Sequence, residues 1–360
     1  MKYSKAFLSK VNLILFGGLV FGLLSCHGGI KKKADALAVR TSVNLNQKKS
    51  DLLAGVSSAI CYSGFRSGQH PDRGNGAVNP SYEEVLQDLM ILSQEANLKL
   101  IRLYDAGENS QMVLRVIKDN KIPIKVLQGI WLKAEISNHE TCAWLKAPIS
   151  SEILQNNRAE NKAEINRGIQ LANQYPGIIA AVNVGNEALV EWNDHGVAVD
   201  SIISYVRKVK ASIKQPVSVA DNYKWWAKHG TELAKVVDFV AIHVYPIWEG
   251  KDIQEGLSFT IKNVSEVRKA LPKSRIVITE AGWASLAAEF GQRASEKKQA
   301  RYYKDLMTWA AKMNITTFFF EAFDEDWKGD TANTLGAEKH WGLYTVDRKK
   351  KKVSQNIYDD

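Results

Sequence analysis

The amino-acid sequence predicts an α/β fold, a single-domain (β/α)8 TIM barrel, and three observations lead to this prediction. Apolar, β-branched or aromatic segments alternate with amphipathic helical segments along most of the 360 residues. Eight such units fit into roughly 300 residues, and barrels of this class typically need ~250 residues before insertions. The segment after the first predicted strand, Cys61–Arg66, lacks the G-x-G-x-x-G loop that an open, doubly wound sheet leads one to expect.

The predicted strands and helices follow each other in a regular order. The strands are predicted at Ser57–Tyr62, Leu98–Tyr104, Ile122–Leu127, Ile178–Val184, Pro216–Ala220, Val237–Tyr245, Arg275–Thr279 and Ile315–Phe320. The clearest helical patterns between them are Tyr82–Glu95, Gln111–Asp119, Glu160–Gln174, Val199–Ile213 and Glu296–Met313. Strands that alternate with helices pair in parallel, so all eight strands should end at one rim of the barrel, where such folds carry their functional residues.

The composition is that of a globular protein, with 45% hydrophobic and 24% charged residues. The formal net charge of +9 is concentrated near the two ends of the chain. Eleven of the cations are Lys2, Lys5, Lys10, Lys31 to Lys33 and the run from Arg348 to Lys352, and without them the net charge would be −2. The body of the protein is therefore slightly acidic, which argues against a nucleic-acid partner.

The first 26 residues have the pattern of an export signal. Residues 1–10 carry three lysines and no acid, and the apolar segment Val11–Leu24 is shorter than the ~20 residues of a membrane-spanning helix. The sequence Leu23-Leu24-Ser25-Cys26 resembles a bacterial lipobox, which implies cleavage before Cys26 and a lipid anchor on this residue. The protein would then be an exported lipoprotein on a bacterial membrane, at the cell surface or the periplasmic face. The alternative is an ordinary secretory signal with an incidental cysteine.

Four segments are expected from this pattern. They are a signal peptide at 1–25, a lipid-anchored flexible tether at 26–54, the barrel at 55–347 and a basic C-terminal tail at 348–360. The tether is predicted because residues 28–54 are rich in Lys, Asn, Gln and Ser and show little periodicity. The protein is expected to be a monomer.

Cysteine and histidine are too few and too scattered to predict a disulfide scaffold or a metal site. An exported protein meets oxidising conditions, so Cys61 and Cys142 could pair, but one lies in a predicted strand and the other in a loop. Two buried free thiols are therefore the favoured interpretation. The seven histidines show no HExxH motif or clustered spacing, and no catalytic metal or organic cofactor is predicted.

Polar and aromatic residues are concentrated just after the predicted strands. The positions are Tyr62, residues 102–105, Trp131, Asn186, Glu187, residues 221–223, residues 243–245, Glu280 and residues 321–328. Seven of the ten tryptophans also fall in loops that follow strands, namely Trp131, Trp192, Trp225, Trp226, Trp248, Trp283 and Trp327. Flat aromatic faces near polar groups suit the apolar faces and hydroxyls of sugar rings, so the rim is predicted to form a sugar-binding cleft.

Two glutamates occupy equivalent positions at the ends of strands four and seven. Glu187 closes Val182-Asn-Val-Gly-Asn-Glu187, and Glu280 closes Ile276-Val-Ile-Thr-Glu280. Either glutamate alone is more simply read as a surface or ion-paired residue. Together they are able to face one cleft, and cleavage of a glycosidic bond needs such a pair of carboxyl groups.

Five motifs resemble glycoside hydrolase family 17, the β-1,3-glucanases and related glucan transglycosylases. They are Ile101-Arg-Leu-Tyr-Asp105, Val184-Gly-Asn-Glu187, Thr279-Glu-Ala-Gly-Trp283, Phe323-Asp-Glu-Asp-Trp-Lys328 and His340-Trp-Gly-Leu-Tyr344, within Gly55–Asp347. The segment Phe319–Lys328 resembles the bacterial form of the family and not the plant form. Many members have proline after the tryptophan of the third motif, whereas Ala284 stands here, which leaves the shape of the neighbouring subsite open.

The resemblance implies a role for each matching residue. Glu187 would be the general acid/base and Glu280 the nucleophile of a retaining double displacement, with Arg102 helping to separate their pKa values. Asn186 would hold the sugar 2-hydroxyl, and Arg102 and Tyr245 would orient the nucleophile. Further substrate-binding or supporting positions are Tyr104, Asp221, Tyr223, Glu249, Trp131, Trp248, Trp283, Glu321, Glu325 and Lys328.

Three functions remain compatible with the sequence. The first is a glycosidase of the endo-1,3-β-glucanase type that acts in carbohydrate metabolism on laminarin, a cell-wall glucan or their oligosaccharides. The second is a β-1,3-glucan transglycosylase, in which the same residues serve and a sugar hydroxyl replaces water. The third is an inactive glycan-binding lipoprotein, which the presence of both glutamates disfavours.

Overall fold

Eight parallel strands form a closed barrel in the computed structural model, which describes residues 43–50, 52–72, 74–330 and 332–355. The strands are β1 (Ala59–Cys61), β2 (Leu100–Arg102), β3 (Lys125–Ile130), β4 (Ile179–Asn186), β5 (Val217–Asn222), β6 (Val240–Val244), β7 (Ile276–Gly282) and β8 (Thr317–Phe320). They follow each other around the barrel in chain order, and β1 closes against β8 with Ala59 opposite Phe318. The predicted (β/α)8 barrel is therefore confirmed.

Helices connect the strands on the outside of the barrel. They are α1 (Tyr82–Met90, continued by a π turn at Ile91–Glu95), α2 (Glu108–Asp119), α3 (Ser151–Gln174), α4 (Val199–Ser212), α5 (Tyr223–His229), α6 (Thr231–Ala234), α7 (Ile253–Ala270), α8 (Glu296–Met313) and α9 (Lys352–Gln355). Single 3-10 turns lie at Leu53–Gly55, Gly291–Arg293 and Ala337–Lys339.

Local signals at the ends of α8 explain why its bounds could be predicted. The hydroxyl of Ser295 accepts a hydrogen bond from the Lys298 amide at 3.2 Å and caps the first turn. Asn314 ends the helix in the left-handed conformation, with φ +54°. The sequence did not single out α7, because its buried face carries polar residues that blur the apolar period, such as Thr260, which bonds Tyr302 at 2.7 Å.

The residues just before β1 are packed, although they were predicted to belong to a flexible tether. Leu45 and Gln47 are buried. The Gln47 side chain accepts a hydrogen bond from the Ile276 amide at 2.7 Å and donates to the Ile276 carbonyl at 2.9 Å. These bonds hold the segment at the start of β7, on the end of the barrel opposite the rim. The folded part of the chain therefore begins by residue 43 and not at Gly55.

Two cations of the predicted basic tail are buried and paired, so the start of that segment is part of the folded barrel. Arg348 contacts both carboxylate oxygens of Asp88, at 2.8 and 2.6 Å. Lys351 bonds Asp324 at 2.6 Å and Ser285 at 2.8 Å. A run of cations in the sequence does not reveal that two of its members point inward.

The structure tests the prediction about the two cysteines but not the prediction of an N-terminal signal. Cys61 and Cys142 are free and buried, as the sequence favoured. Burial raises the pKa of the Cys61 thiol to about 12, so this thiol is inert at neutral pH. The signal peptide and Cys26 lie outside the described residues. In the described part of the chain, no helix has the length and apolarity needed to cross a membrane.

Candidate active site

The C-terminal ends of β2, β4, β6 and β7 bring the predicted pair of glutamates and their neighbours into one cleft. Irregular register between β4 and β5, and again between β6 and β7, breaks the alternation of side chains near the rim. Beside the first irregularity, Gly185 has φ +86° and Glu187 has φ +47°. This local backbone turns the Glu187 side chain toward β6, where His243 lies.

Glu280 is buried and surrounded by hydrogen-bond donors. Oε1 accepts from Arg102 Nη1 at 2.6 Å and from the Tyr104 hydroxyl at 3.1 Å, and Oε2 accepts from the Tyr245 hydroxyl at 2.6 Å. Burial by itself would raise the pKa of Glu280. The nearby His243 and Arg102 and the two tyrosine hydroxyls outweigh burial and hold the pKa below its ordinary value. Glu280 is therefore an ionised carboxylate at neutral pH.

Glu187 has a more open environment with fewer donors. Its side chain is 20% exposed, compared with 7% for Glu280. Oε1 lies 3.0 Å from His243 Nδ1, and Oε2 lies 3.3 Å from Asn193 Nδ2. No cation of the described residues forms an ion pair with it apart from the His243 ring, whose charge depends on protonation. The two carboxyl groups therefore differ in burial, in donors and in nearby charge.

His243 is fully buried between the two glutamates. Its Nε2 lies 3.2 Å from Arg102 Nη1. Its Nδ1 lies 3.0 Å from Glu187 Oε1 and 3.5 Å from Glu280 Oε2. These two oxygens cannot lie farther apart than the sum of those distances.

Arg102 organises the floor of the cleft. Its side chain is almost completely buried, and the guanidinium also donates to the Thr279 carbonyl at 3.0 Å and to Asn186 Oδ1 at 2.5 Å. Burial would lower the pKa of Arg102, but Glu280 and its other neighbours raise it, so it remains a cation. Arg102 thus connects β2, β4 and β7 and fixes Asn186 next to Glu187.

A second buried charge cluster lies after β8, where Glu321, Glu325 and Lys328 were predicted to support the site. Lys328 Nζ contacts Glu321 Oε2 at 2.5 Å and Glu325 Oε2 at 2.8 Å. Burial would lower the pKa of Lys328, but the two carboxylates raise it, while burial raises the pKa of Glu321. Glu325 also accepts from the Ser63 hydroxyl at 2.6 Å, so the cluster ties the loop after β8 to the loop after β1.

Asp221 and Tyr223, two predicted substrate-binding or supporting positions, have neighbours within the protein. Asp221 is buried and accepts hydrogen bonds from the amides of Leu189 and Asn222, at 2.9 and 2.7 Å. It therefore supports the loop that follows β4. Tyr223 is the first residue of α5 and packs against Phe259 of α7, because α5 begins directly after β5 and directs this side chain into the helix layer. Glu249, another matching position, pairs with Lys224 at 2.6 Å.

The tryptophans of the predicted sugar platform divide into buried and accessible groups. Trp226 and Trp283 are completely buried, so Trp283 is a core residue and not a sugar platform. Its indole N–H donates to the Arg293 carbonyl at 2.9 Å, and its ring packs on Tyr302 of α8. The next residue, Ala284, is also buried. The Trp283 side chain, which follows β7, therefore points to the outside of the barrel, toward α8.

Trp131 and Trp248, two of the predicted substrate-binding residues, are accessible near the rim. Trp131 is half-buried and lies 4.7 Å from the His195 ring. Trp248 is 46% exposed and lies near Phe290 and Trp341. Of the other tryptophans, Trp192 is exposed, Trp225 packs on Trp226, and Trp327 packs on Phe65.

Three site residues had no role assigned from the sequence. They are His243, Asn193 and Trp341, whose ring packs against Tyr245 at 5.3 Å. His243 was visible as a residue near the end of a strand, but nothing in the sequence connected it with both glutamates. In the described ranges, no group of three or more His, Cys, Asp or Glu side chains is arranged to hold a metal ion.

The chain is similar to known glycoside hydrolases. The model of the BtgE/BtgC glycoside hydrolase domain matches residues 59–342. A glucan 1,3-beta-glucosidase from Arthroderma benhamiae is 30% identical over 190 residues, which are 48% of this chain and 60% of that protein. A probable glucan endo-1,3-beta-glucosidase, btgC, from Aspergillus clavatus is 27% identical over 296 residues, 76% of this chain and 39% of the relative. The chain thus spans less than two thirds of each of these curated relatives.

Solved structures with the same fold include an endo-laminarinase and a β-1,3-glucanosyltransferase. An endo-laminarinase from Formosa has a TM-score of 0.69 at 25% identity, with 85% of this chain and 88% of that chain covered. A family 17 β-1,3-glucanosyltransferase from Rhizomucor miehei has a TM-score of 0.61 at 20% identity, with 82% and 96% covered. At 20% identity, the second comparison supports the fold alone.

Proposed function

The chain belongs to the family of BtgE/BtgC glycoside hydrolase domains, and on that premise we propose that it is a retaining glycosidase that cleaves β-1,3-glucan. The observation that carries the proposal is the contrast between two neighbouring carboxyl groups. Glu280 is held ionised by Arg102, Tyr104 and Tyr245, whereas Glu187 is more exposed and less strongly bonded. A glycosidase needs this contrast, because one carboxylate attacks and the other carboxyl group gives up a proton.

The spacing of the pair supports a retaining reaction. Oxygens of both glutamates lie within 3.5 Å of the same nitrogen, His243 Nδ1. Carboxyl groups of retaining enzymes are ~5–5.5 Å apart, whereas inverting enzymes leave ~6.5–9.5 Å for a water molecule. Two groups that lie against the same nitrogen in this way fit the shorter spacing.

In the first step of the proposed reaction, Glu280 attacks the anomeric carbon while the glycosidic bond breaks. Glu187 gives its proton to the leaving sugar oxygen, and a glycosyl ester forms on Glu280. Tyr104 and Tyr245 hold the two oxygens of Glu280, so the carboxylate keeps its direction before attack. Asn186, whose Oδ1 accepts from Arg102, would bond a sugar hydroxyl next to the reacting carbon.

In the second step, Glu187 accepts a proton from water, and the resulting hydroxide-like oxygen displaces Glu280 from the anomeric carbon. The stereochemistry of the sugar is retained after two displacements. If a sugar hydroxyl takes the place of water, the same residues produce a longer glucan. Product analysis on defined β-1,3-oligosaccharides at rising concentration separates hydrolysis, which gives shorter products, from transglycosylation, which also gives longer ones.

Substitution of the two glutamates tests the assignment. Glu280→Ala should abolish turnover of every substrate, because the covalent intermediate can no longer form. Glu187→Ala should lower kcat/KM on laminarin by roughly 10²–10⁴-fold but preserve turnover of aryl glycosides with good leaving groups, and azide should increase that turnover. Glu255→Ala, on the exposed side of α7, is the matched control. Equal losses for Glu187→Ala on laminarin and on the activated aryl glycoside would refute the acid assignment.

We also propose that the protein is exported and anchored through a lipid on Cys26. The support is the sequence Leu23-Leu24-Ser25-Cys26, preceded by an apolar segment and a lysine-rich start. A β-glucan polysaccharide outside the cytoplasm would then be the substrate.

A further inference from the structure

The loop that follows β4 carries a side chain that contacts Glu187 in two places. Asn193 Nδ2 donates to the backbone oxygen of Glu187 at 3.1 Å and to its carboxylate Oε2 at 3.3 Å. A side-chain amide has two N–H groups, so both bonds can form together. The other carboxyl oxygen, Oε1, lies 3.0 Å from His243 Nδ1. Each oxygen of the Glu187 carboxyl group therefore has its own nitrogen neighbour.

These contacts matter because the backbone of Glu187 is unusual. Its φ of +47° lies in the left-handed region, which residues other than glycine rarely adopt. The Glu187 amide donates to the Ala220 carbonyl at 2.8 Å, while the Glu187 carbonyl accepts from Asn193. Asn193 is held in turn, because its own backbone oxygen accepts from Asn138 Nδ2 at 2.5 Å. A chain of bonds thus runs from the loop after β3 to the Glu187 carboxyl group.

We propose that Asn193 is a positioning residue for the acid/base reaction of Glu187, an inference that rests on the proposed function. Asn193 donates to Oε2 and so fixes the direction of the Glu187 carboxyl group, while His243 lies against Oε1. A donor bonds an ionised carboxylate more strongly than a protonated one, so Asn193 also favours the form that acts as base in the second step.

Two substitutions separate this role from a space-filling one. Asn193→Ala removes both the donors and the bulk, whereas Asn193→Asp keeps the size, removes the donors and places a negative charge beside Glu187. If the donors matter, both variants lose roughly ten- to hundredfold in kcat/KM on laminarin, the range expected for one bond to a charged group. kcat/KM on an aryl laminaribioside with a good leaving group falls much less, because kcat/KM reports the first step and that step needs no proton with such a leaving group.

The pH profile supplies a second readout. Loss of a donor to a carboxylate disfavours its ionised form, so we expect the alkaline limb of kcat/KM to move to higher pH in Asn193→Ala. The limb moves further in Asn193→Asp, because the added charge also disfavours the ionised form. If Asn193 only fills space, the order of the two shifts is reversed, and the alkaline limb of Asn193→Asp lies close to that of the wild type. Asn166→Asp, on the outside of α3 where Asn166 bonds Lys208, is the control expected to leave the profile unchanged.

The outcomes distinguish this inference from the proposed function. A wild-type protein that cleaves no β-1,3-glucan overturns the function itself, and full laminarin activity in Glu187→Ala overturns the acid assignment. If both of these hold, a wild-type profile in Asn193→Asp overturns the role of Asn193 alone. An equal loss on both substrates with an unmoved alkaline limb also overturns it. Thermal unfolding checks that each variant is folded. If Asn193→Ala does not fold, the isosteric Asn193→Asp decides the test.

Discussion

Tyr245 gives Glu280 a hydrogen bond whose removal has consequences that can be worked out in advance. The hydroxyl donates to Oε2 at 2.6 Å, and the carboxylate is 7% exposed, so solvent does little to replace the bond. One hydrogen bond to a charged group contributes ~1.5–3 kcal/mol. Arg102 and Tyr104 still bond Oε1 in Tyr245→Phe, so we expect the lower part of that range.

The substitution should act mainly on the acidic limb of the pH profile. The bond favours the ionised form of Glu280, so its loss raises the pKa of this group toward the ordinary value. At a pH below the limb, kcat/KM on an aryl laminaribioside should fall by roughly tenfold, the factor that corresponds to the lower end of the bond energy. On the plateau the loss should be smaller, because the charge that the bond stabilises is consumed when Glu280 attacks.

Stability gives an independent measure of the same bond. A carboxyl group whose pKa is lowered by folding stabilises the native state above its unfolded pKa, and this contribution is lost as pH falls through the folded pKa. Tyr245→Phe should therefore be less stable than wild type near pH 7, and the difference should shrink in acid. Tyr303→Phe, on α8 against Phe319, is the control. An acidic limb that stays in place in Tyr245→Phe would refute the reasoning.

Three further predictions concern other parts of the chain. Arg348→Met should lower the free energy of unfolding by about 3 kcal/mol in urea denaturation. The substitution leaves Asp88 buried with Arg66 as its remaining ion-pair partner among the described residues. Activity per folded molecule should not change. Cys26→Ser should move the protein from the membrane fraction to the soluble fraction or block its processing, and an unlipidated mature N-terminus by intact mass would contradict the anchor. Laminarin should be cleaved at least a thousandfold faster than cellulose. A wrong linkage leaves several polar groups of the cleft unpaired, and each unpaired group costs ~1–3 kcal/mol. Comparable rates on the two glucans would contradict the linkage preference.

The sequence by itself determined the barrel and the positions of the two glutamates. Alternating apolar and amphipathic segments are local patterns, and caps such as Ser295 and Asn314 act within one turn of the helix they bound. A residue at the end of a parallel strand lies at the rim whatever the details of packing. For that reason the sequence alone predicts that Glu187 and Glu280 share a cleft.

Only the tertiary structure decided which neighbours face that cleft. Trp283 follows Glu280 closely in sequence but turns behind the sheet onto α8, and Tyr223 turns into the helix layer because α5 starts at that residue. His243 lies between the glutamates because β6 stands between β4 and β7, separated from β4 by β5 alone. Arg348 pairs with Asp88, which lies 260 residues earlier in the sequence. Side-chain direction beyond a strand and pairing between distant segments depend on backbone geometry and on contacts that no local pattern encodes.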